Sequence, residues 1–433
     1  MHGLGSPKIR TVTPAERLRG EIRVPGDKSI THRGVLLGTI ANGRSRIKGA
    51  GLGGDTLSSM AVVQELGATV ETIKDDLLVT GTGLHSLSAP RNILDCGNSG
   101  TTMRLTAGLL AGRQFNATLT GDASLRNRPM DRISKPLREL GAEIDGREQG
   151  RFAPLTLRPS QLQGTDIEVA VASAQVKSAI ALAALRANGS TTISQPSPSR
   201  DHTERMLRTQ GADVAEEAGK LRIKPIDKLQ ALDVVVPGDI SSAAFWIVAA
   251  TIHPDAVITI RDVGLNPLRI GLLDALRAMG AQIEIHMETL KPEPTGTVVA
   301  SSSDLKPVNV SGELIPRLID EIPMLVLAAA TAKGSSRIDD AGELRVKESN
   351  RIQTVTDALF ALGIQITPMP DGFVIDGPQH VGGGEVEAAG DHRIAMLAAV
   401  AGLSGRQPVT IRGANAVDVS YPNFWQDLEQ LRA

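Results

Sequence analysis

The stretch Val24-Pro25-Gly26-Asp27-Lys28-Ser29-Ile30-Thr31-His32-Arg33 reads as a polar loop running into a helix whose apolar stripe begins at Val35-Leu36-Leu37. Backbone N–H groups at a helix N-terminus bind anions, and the helix dipole favours negative charge there. Lys28 and Arg33 add fixed positive charge, and Ser29 adds a donor. The ligand expected from this chemistry carries phosphate or carboxylate groups. Alone, a Lys-Ser pair at a helix start is an ordinary cap. The stretch decides the fold because the chain repeats it: Val236-Pro237-Gly238-Asp239 nearly copies Val24-Pro25-Gly26-Asp27.

Working outward, the same layout occurs six times: a polar loop, an Ala/Leu-rich helix, a small-residue break and a β-rich strand. The other starts are Asp95-Cys96-Gly97-Asn98-Ser99-Gly100, Ala172-Ser173-Ala174-Gln175, Ile319-Asp320-Glu321 and Gly390-Asp391-His392-Arg393. Successive starts lie about 65 to 80 residues apart, longer than a typical solenoid unit. A second marker keeps the same beat. Leu66-Gly67-Ala68, Leu140-Gly141-Ala142, Gln210-Gly211-Ala212, Met279-Gly280-Ala281 and Leu362-Gly363-Ile364 each close an amphipathic helix with a glycine suited to φ > 0. Alternating strands follow, such as Gln282-Ile283-Glu284-Ile285. Each repeat therefore holds two helices and about four strands. The paired Pro-Gly-Asp loops predict a duplicated half, three repeats and then three more. The expected division is one discontinuous lobe, 1–24 plus 238–433, and a second lobe, 25–237, with hinge crossings near 23–26 and 235–239.

Composition narrows the function classes. Hydrophobic residues make up 41% of the chain, enough for packed cores, but aromatics only 2%, so packing must rest on Ala, Leu, Ile, Val and close Gly contacts. A net charge of -2 gives no general pull toward nucleic acid or an anionic membrane. The lone Cys96 excludes an intramolecular disulfide and suits a reducing cytoplasm. No apolar run is long enough to span a bilayer, and the start from Met1 has no signal-peptide core. The Pro-rich Lys291-Pro292-Glu293-Pro294-Thr295-Gly296 reads as a flexible surface excursion.

The helix starts carry an unusual charge load. Lys28 and Arg33 are joined by Arg104, by Arg126 and Arg128, by Lys177 and Arg200, by Lys347 and Arg351, and by Arg393, with Asp320, Glu321, Glu348 and Asp391 among them. One such group is a cap or a solvated face. In a symmetric repeat, equivalent helix starts point the same way, so the set is expected to line a cleft with the two lobes facing each other. Gathered like charges cost free energy unless an anion fills the gap, and carboxylates among them can transfer protons.

The motifs Gly26-Asp27-Lys28-Ser29-Ile30-Thr31-His32-Arg33, Gly97-Asn98-Ser99-Gly100-Thr101-Thr102-Met103-Arg104, Arg128-Pro129-Met130, Ser173-Ala174-Gln175-Val176-Lys177-Ser178, Arg200-Asp201-His202-Thr203-Glu204, Asp320-Glu321-Ile322-Pro323, Arg345-Val346-Lys347-Glu348-Ser349 and Asp391-His392-Arg393-Ile394-Ala395-Met396 together resemble the EPSP synthase (3-phosphoshikimate 1-carboxyvinyltransferase) family of enolpyruvyl transferases. The resemblance covers nearly the whole chain in the family's order and spacing. It implies a two-lobed, inside-out α/β barrel of six βαβαββ-type repeats, three per lobe. It implies transfer of the enolpyruvyl group of phosphoenolpyruvate to the 5-hydroxyl of shikimate 3-phosphate, by addition and then elimination of phosphate. It also implies no metal or organic cofactor, and a cytoplasmic monomer that binds neither nucleic acid nor membrane.

Carried over by motif, the resemblance gives Lys28, Ser29, Arg33, Ser173, Gln175, Arg200, Asp320 and Lys347 to shikimate 3-phosphate. It gives Lys28, Gly100, Arg128, Gln175, Arg351 and Arg393 to phosphoenolpyruvate, whose charged ends match arginine forks. Asp320 is expected to take the proton of the attacking hydroxyl, Glu348 to move a proton at the phosphoenolpyruvate methylene, and Lys28 to assist catalysis. Gly100 is expected to lie against phosphoenolpyruvate and against glyphosate, a slightly longer mimic of it. Two positions depart from some members: Val419 stands where some have a ligand Lys, and Leu105 where many have Pro. The sister enzyme acting on UDP-N-acetylglucosamine commonly has a reactive Cys where this chain has Ala123. A non-catalytic anion-binding protein on the same fold would not need Asp320 and Glu348.

Overall fold

The computed structural model describes residues 8–432. The reading of the chain start, and the outermost residues of the expected 1–24 and 238–433 segments, lie outside these residues. The chain divides into two compact units. Gly26–Val236 forms one, and the residues up to Pro25 together with those from Pro237 onward form the other. Each has its own hydrophobic core, one running from Ile30 to Val236 and one built from Val12 to Val24 and Ile240 to Leu431.

The repeat is plainest where it is continuous. Strand Leu94–Asp95 leads to helix Gly100–Leu110, strand Ala117–Thr120, helix Asp131–Glu139, and strands Glu143–Gly146 and Phe152–Arg158. The first strand pairs parallel with the second, the second antiparallel with the fourth, and the fourth antiparallel with the third. Four further sheets have this order. Two of them borrow their first strand from far along the chain. Asp233–Val235 pairs parallel with Arg44–Lys48 and completes the first repeat, while Leu18–Arg23 pairs parallel with Ala256–Gly264 and completes the fourth. The sixth repeat departs from the expected four strands. Gly384–Glu387 pairs with Val409–Arg412, and Ile9–Val12 covers the remaining edge in place of a hairpin. The chain has already turned into its last helix, Phe424–Leu431.

The first helix of each repeat is an inner helix. Every residue of His392–Leu403 is buried, as is all of Ile240–Ile252 except Ile252 and all of Gly100–Leu110 except Thr101. A helix apolar on all sides belongs inside a core, so the sheets lie outside it. Small residues make this packing possible. At Gly108 a Cβ would sit 2.1 Å from Ala179 O of helix Ala174–Ala184, so the two inner helices touch through backbone. The second helices are amphipathic and end as the spacing predicts. Gly67, Gly141, Gly211, Gly280 and Gly363 have φ of +99°, +99°, +90°, +88° and +81°. Most of the scarce aromatic residues are spent at one place: Phe245, Trp246, Tyr421, Phe424 and Trp425 stack together, with Trp246 Nε1 donating to Tyr421 Oη at 2.9 Å.

The segment 291–296 corrects its sequence reading. Residues 290–294 are the turn joining strands Gln282–Thr289 and Thr295–Ser301, the second of which takes up Thr295 and Gly296, and the turn is tied down. Glu293 is buried and accepts from Asn266 Nδ2, and Pro294 O accepts from the Leu265 N–H at 2.8 Å. Its prolines shape a tight return rather than a free loop.

Candidate active site

In the unit Gly26–Val236, three inner helices begin with side-chain caps. Asp27 accepts from the Ile30 N–H, Ser99 from Thr102 and Ser173 from Val176. Lys28 opens its helix and pairs with Asp55 at 2.8 Å. Arg33, one turn on, is buried and held by protein. It donates from Nε to Thr203 Oγ1 (2.7 Å), from Nη2 to Ser178 Oγ (2.9 Å) and from Nη1 to Ser29 O (3.1 Å). Gln175 accepts from Arg104 Nη1 at 2.6 Å and donates to Thr101 Oγ1 at 2.9 Å. Arg128 donates through Nη2 to Asn98 Oδ1 at 2.6 Å, and its buried Nε has no hydrogen-bond partner among the described residues. Arg200 sits partly buried in the turn before helix His202–Thr209. Leu105 does not disturb its helix, which starts regularly on the Ser99 cap with Leu105 in the core.

Beneath this set runs a buried polar chain. His32 Nδ1 is 2.7 Å from Ser59 Oγ, Ser59 Oγ is 2.8 Å from Thr102 Oγ1, and Thr102 Oγ1 donates to Ser99 Oγ at 2.8 Å. It joins the Lys28 helix, helix Gly54–Glu65 and the Gly100 helix. Burial, opposed by Asp55 and reinforced by Lys28 and Arg33, pushes His32 down to about 3, so it is neutral at physiological pH.

The other unit carries the expected proton-transfer groups. Asp320 lies 3.4 Å from Lys347 Nζ and 3.6 Å from Arg351 Nη1. Glu348 lies 2.6 Å from Arg351 Nη2. Arg351 is fully buried; burial alone would lower its pKa, but Asp391, Glu348 and Asp320 outweigh it and raise it. Asp391 is the reciprocal case. Burial would raise it, yet Arg351 and His392 hold it below the usual carboxylate range. Glu321, also buried, accepts from Arg269 Nη1 at 2.7 Å and from Ser241 Oγ, and lies 3.6 Å from Arg393 Nη1. Ser241 Oγ in turn accepts from Arg393 Nη2 at 3.1 Å. Val419 ends a short 3₁₀ turn, Ala414–Val419, and brings no charge.

The structure thus groups Lys28, Ser29, Arg33, Gly100, Arg128, Ser173, Gln175 and Arg200 at helix starts and adjoining turns of one unit, and Asp320, Lys347, Glu348, Arg351 and Arg393 at those of the other. Residues 12–428 match the family described as EPSP synthase (3-phosphoshikimate 1-carboxyvinyltransferase). The chain belongs to the EPSP synthase family. Among EPSP synthase relatives, the 3-phosphoshikimate 1-carboxyvinyltransferase of Roseiflexus castenholzii is 51% identical, over 98% of this chain and all of the relative. That of Bacillus velezensis is 47% identical, over 96% and 97%. The solved EPSP synthase of Acinetobacter baumannii superposes with a TM-score of 0.86 at 40% identity, covering 98% of both chains.

The geometry also adds partners that the sequence reading missed. Asp55, Gln195 and Arg269 did not enter it, and the partner roles of Glu204, Glu321 and Asp391 were not read. Each is an acid, amide or arginine in ordinary helix or loop sequence. Nothing local in the chain pairs Asp55 with Lys28, 27 residues away.

Proposed function

We propose that this chain transfers the enolpyruvyl group of phosphoenolpyruvate to the 5-hydroxyl of shikimate 3-phosphate, releasing inorganic phosphate, as a step toward chorismate and the aromatic amino acids. One observation carries the reading: the family match spans residues 12–428, and within it Asp320 and Glu348 each lie against a cation, at 3.4 Å and 2.6 Å.

The chemistry follows from the groups. A hydroxyl is a weak nucleophile, and the enol phosphate carbon C2 must be made electrophilic. Asp320 accepts the hydroxyl proton, and the neighbouring Lys347 steadies the developing charge. Glu348 gives a proton to the methylene carbon, so that C2 is attacked by the hydroxyl oxygen and a tetrahedral phosphate ketal forms. Removal of a methyl proton by the same carboxylate breaks the C2–O bond to phosphate and re-forms the carbon–carbon double bond, now as the enol ether of the product, while the hydroxyl proton leaves Asp320 with the phosphate or to water. Arg128, Arg351 and Arg393, with Lys28, balance the charge of phosphoenolpyruvate and of the leaving phosphate. Ser29, Arg33, Ser173, Gln175 and Arg200 hold shikimate 3-phosphate. The contacts of Arg33 with Thr203 and Ser178 support a share in shaping that site as well as binding in it.

The reading extends to a monomer in the cytoplasm. The single buried Cys96, pushed up by burial and therefore unreactive as a thiolate, is at home in a reducing compartment; the monomer rests on the family resemblance. Among the described residues no helix is long and apolar enough to cross a membrane. The testing experiment is phosphate release from phosphoenolpyruvate, with shikimate 3-phosphate in one arm and UDP-N-acetylglucosamine in the other. Turnover is expected in the first arm alone.

A further inference from the structure

Lys177 and Glu204 form a buried ion pair, with Nζ 2.6 Å from Oε1 and both side chains more than nine-tenths buried. They join the inner helix Ala174–Ala184 to helix His202–Thr209. Lys177 Nζ also donates to Ser199 O at 3.0 Å. The hydroxyl of the same residue donates to Gln195 Oε1 at 3.0 Å, and Gln195 Oε1 accepts from the Ser173 N–H at 3.0 Å. The turn that presents Arg200 is therefore gripped at both the carbonyl and the hydroxyl of the preceding residue. Gln195 binds it to the Ser173 cap. One position along, Ser178 Oγ and Thr203 Oγ1 make a second rung at 2.7 Å, and Arg33 donates to both.

Stability does not explain the pair. Desolvating two charges costs several kcal/mol, and apolar residues of similar volume commonly serve a core as well or better. Among the described residues no donor reaches the buried Glu204 Oε2, so protein contacts offset only part of that cost. Lys177 supplies what an apolar side chain lacks: a directional donor aimed at the Ser199 carbonyl. Glu204, 2.6 Å from the same Nζ, holds that donor in place.

We propose that Lys177, Glu204 and Gln195 are positioning residues that fix the Ser199-Arg200 turn and the Ser173 cap relative to Arg33, and so set the affinity for shikimate 3-phosphate. The proposal rests on the assignment of Arg33, Ser173 and Arg200 to that substrate. None of the three needs to touch the ligand.

The test uses the full chain and calorimetric binding of shikimate 3-phosphate alone, with the melting temperature and steady-state constants recorded alongside. K177M/E204L removes both charges together and leaves neither stranded. It is expected to fold and to bind shikimate 3-phosphate on the order of 10-fold or more weakly, while kcat at saturation stays near that of the parent chain. Q195M, which strands no charge, is expected to weaken the same binding without a matching fall in melting temperature, and it decides the matter should the double variant fail to fold. Unchanged shikimate 3-phosphate affinity in a folded K177M/E204L or in Q195M overturns the proposal. An R200A arm separates this from the reading beneath it. If R200A loses affinity while the positioning variants keep it, positioning alone is wrong; if R200A keeps affinity, the assignment of Arg200 fails as well.

Discussion

Arg351 and Asp391 form a buried two-point pair, with Arg351 Nε donating to Asp391 Oδ2 at 2.8 Å and Nη2 to Oδ1 at 3.1 Å. The same carboxylate accepts from Ser349 Oγ at 2.9 Å and caps helix His392–Leu403 through the Arg393 N–H at 3.0 Å. One acid thus orients two of the arginines assigned to phosphoenolpyruvate, one through its side chain and one through its backbone. Arg351 also lies 2.6 Å from Glu348 and 3.6 Å from Asp320, the two groups assigned to proton transfer.

Replacing Asp391 by Asn removes the charge that pairs with a fully buried guanidinium. Losing one partner of a buried pair costs roughly 3–5 kcal/mol. The variant is expected to melt lower, and its KM for phosphoenolpyruvate to rise about tenfold or more, since the guanidinium loses its fixed orientation. Calorimetric binding of shikimate 3-phosphate alone is expected to change little. The KM values for the two substrates, with the melting curve, check the prediction.

Glu348→Gln and Asp320→Asn keep shape and remove the titrating group. Positioned proton transfer contributes about 10²–10⁴-fold, so kcat is expected to fall by that order in each. Glu348→Gln is expected to leave shikimate 3-phosphate binding nearly intact. Near-normal turnover in either variant would remove that residue's assigned role.

Gly100 opens helix Gly100–Leu110 and lies outside the left-handed region, so alanine there meets no backbone strain. An added Cβ would instead come 2.8 Å from Arg104 Nη1, which already binds Gln175. The end of the Arg104 side chain must shift, and on the assignment of Gly100 to phosphoenolpyruvate the added methyl narrows the space left for the longer inhibitor. Gly100→Ala is expected to weaken glyphosate more than phosphoenolpyruvate, with little change in melting temperature. Inhibition constant, KM and melting temperature together check this; equal loss of both affinities with a lower melting temperature contradicts it.

His32 gives a pH dependence of known sign. Its folded pKa, about 3, lies below the ordinary value of 6.5, so between these limits the unfolded chain binds more protons. The stability it contributes is complete above about pH 6.5 and lost as pH falls toward 3, at most about 1.4 kcal/mol per pH unit for one group. Asn at this position can replace the bond to Ser59 and cannot titrate. Urea unfolding at about pH 7, 5.5 and 4.5 is expected to show a shallower acid loss in His32→Asn than in the parent chain.

The repeat was legible because its signals are local. A capped loop, an Ala/Leu run and a glycine such as Gly67 or Gly211 each act within one turn of helix, and all recur in phase. The loans of Leu18–Arg23 to the fourth repeat and Asp233–Val235 to the first were not legible. A parallel pairing across some two hundred residues leaves no mark on either short strand. The cations of the site stood out as motifs, but their partners did not. Asp55, Glu204 and Glu321 look like ordinary helix-start acids until the fold brings them to Lys28, Lys177 and Arg269. The turn 290–294 misled for the opposite reason: its prolines signal a loop, while the burial of Glu293 depends on the distant Asn266.

The central claim is tested most directly by following phosphoenolpyruvate, inorganic phosphate and product together by phosphorus magnetic resonance, with the full chain, shikimate 3-phosphate and a chelator present. One phosphate is expected to appear for each phosphoenolpyruvate consumed, in step with a new enolpyruvyl ether that keeps the 3-phosphate, and none without shikimate 3-phosphate. Phosphate release that ignores shikimate 3-phosphate, or that proceeds equally on UDP-N-acetylglucosamine, would contradict the proposed function.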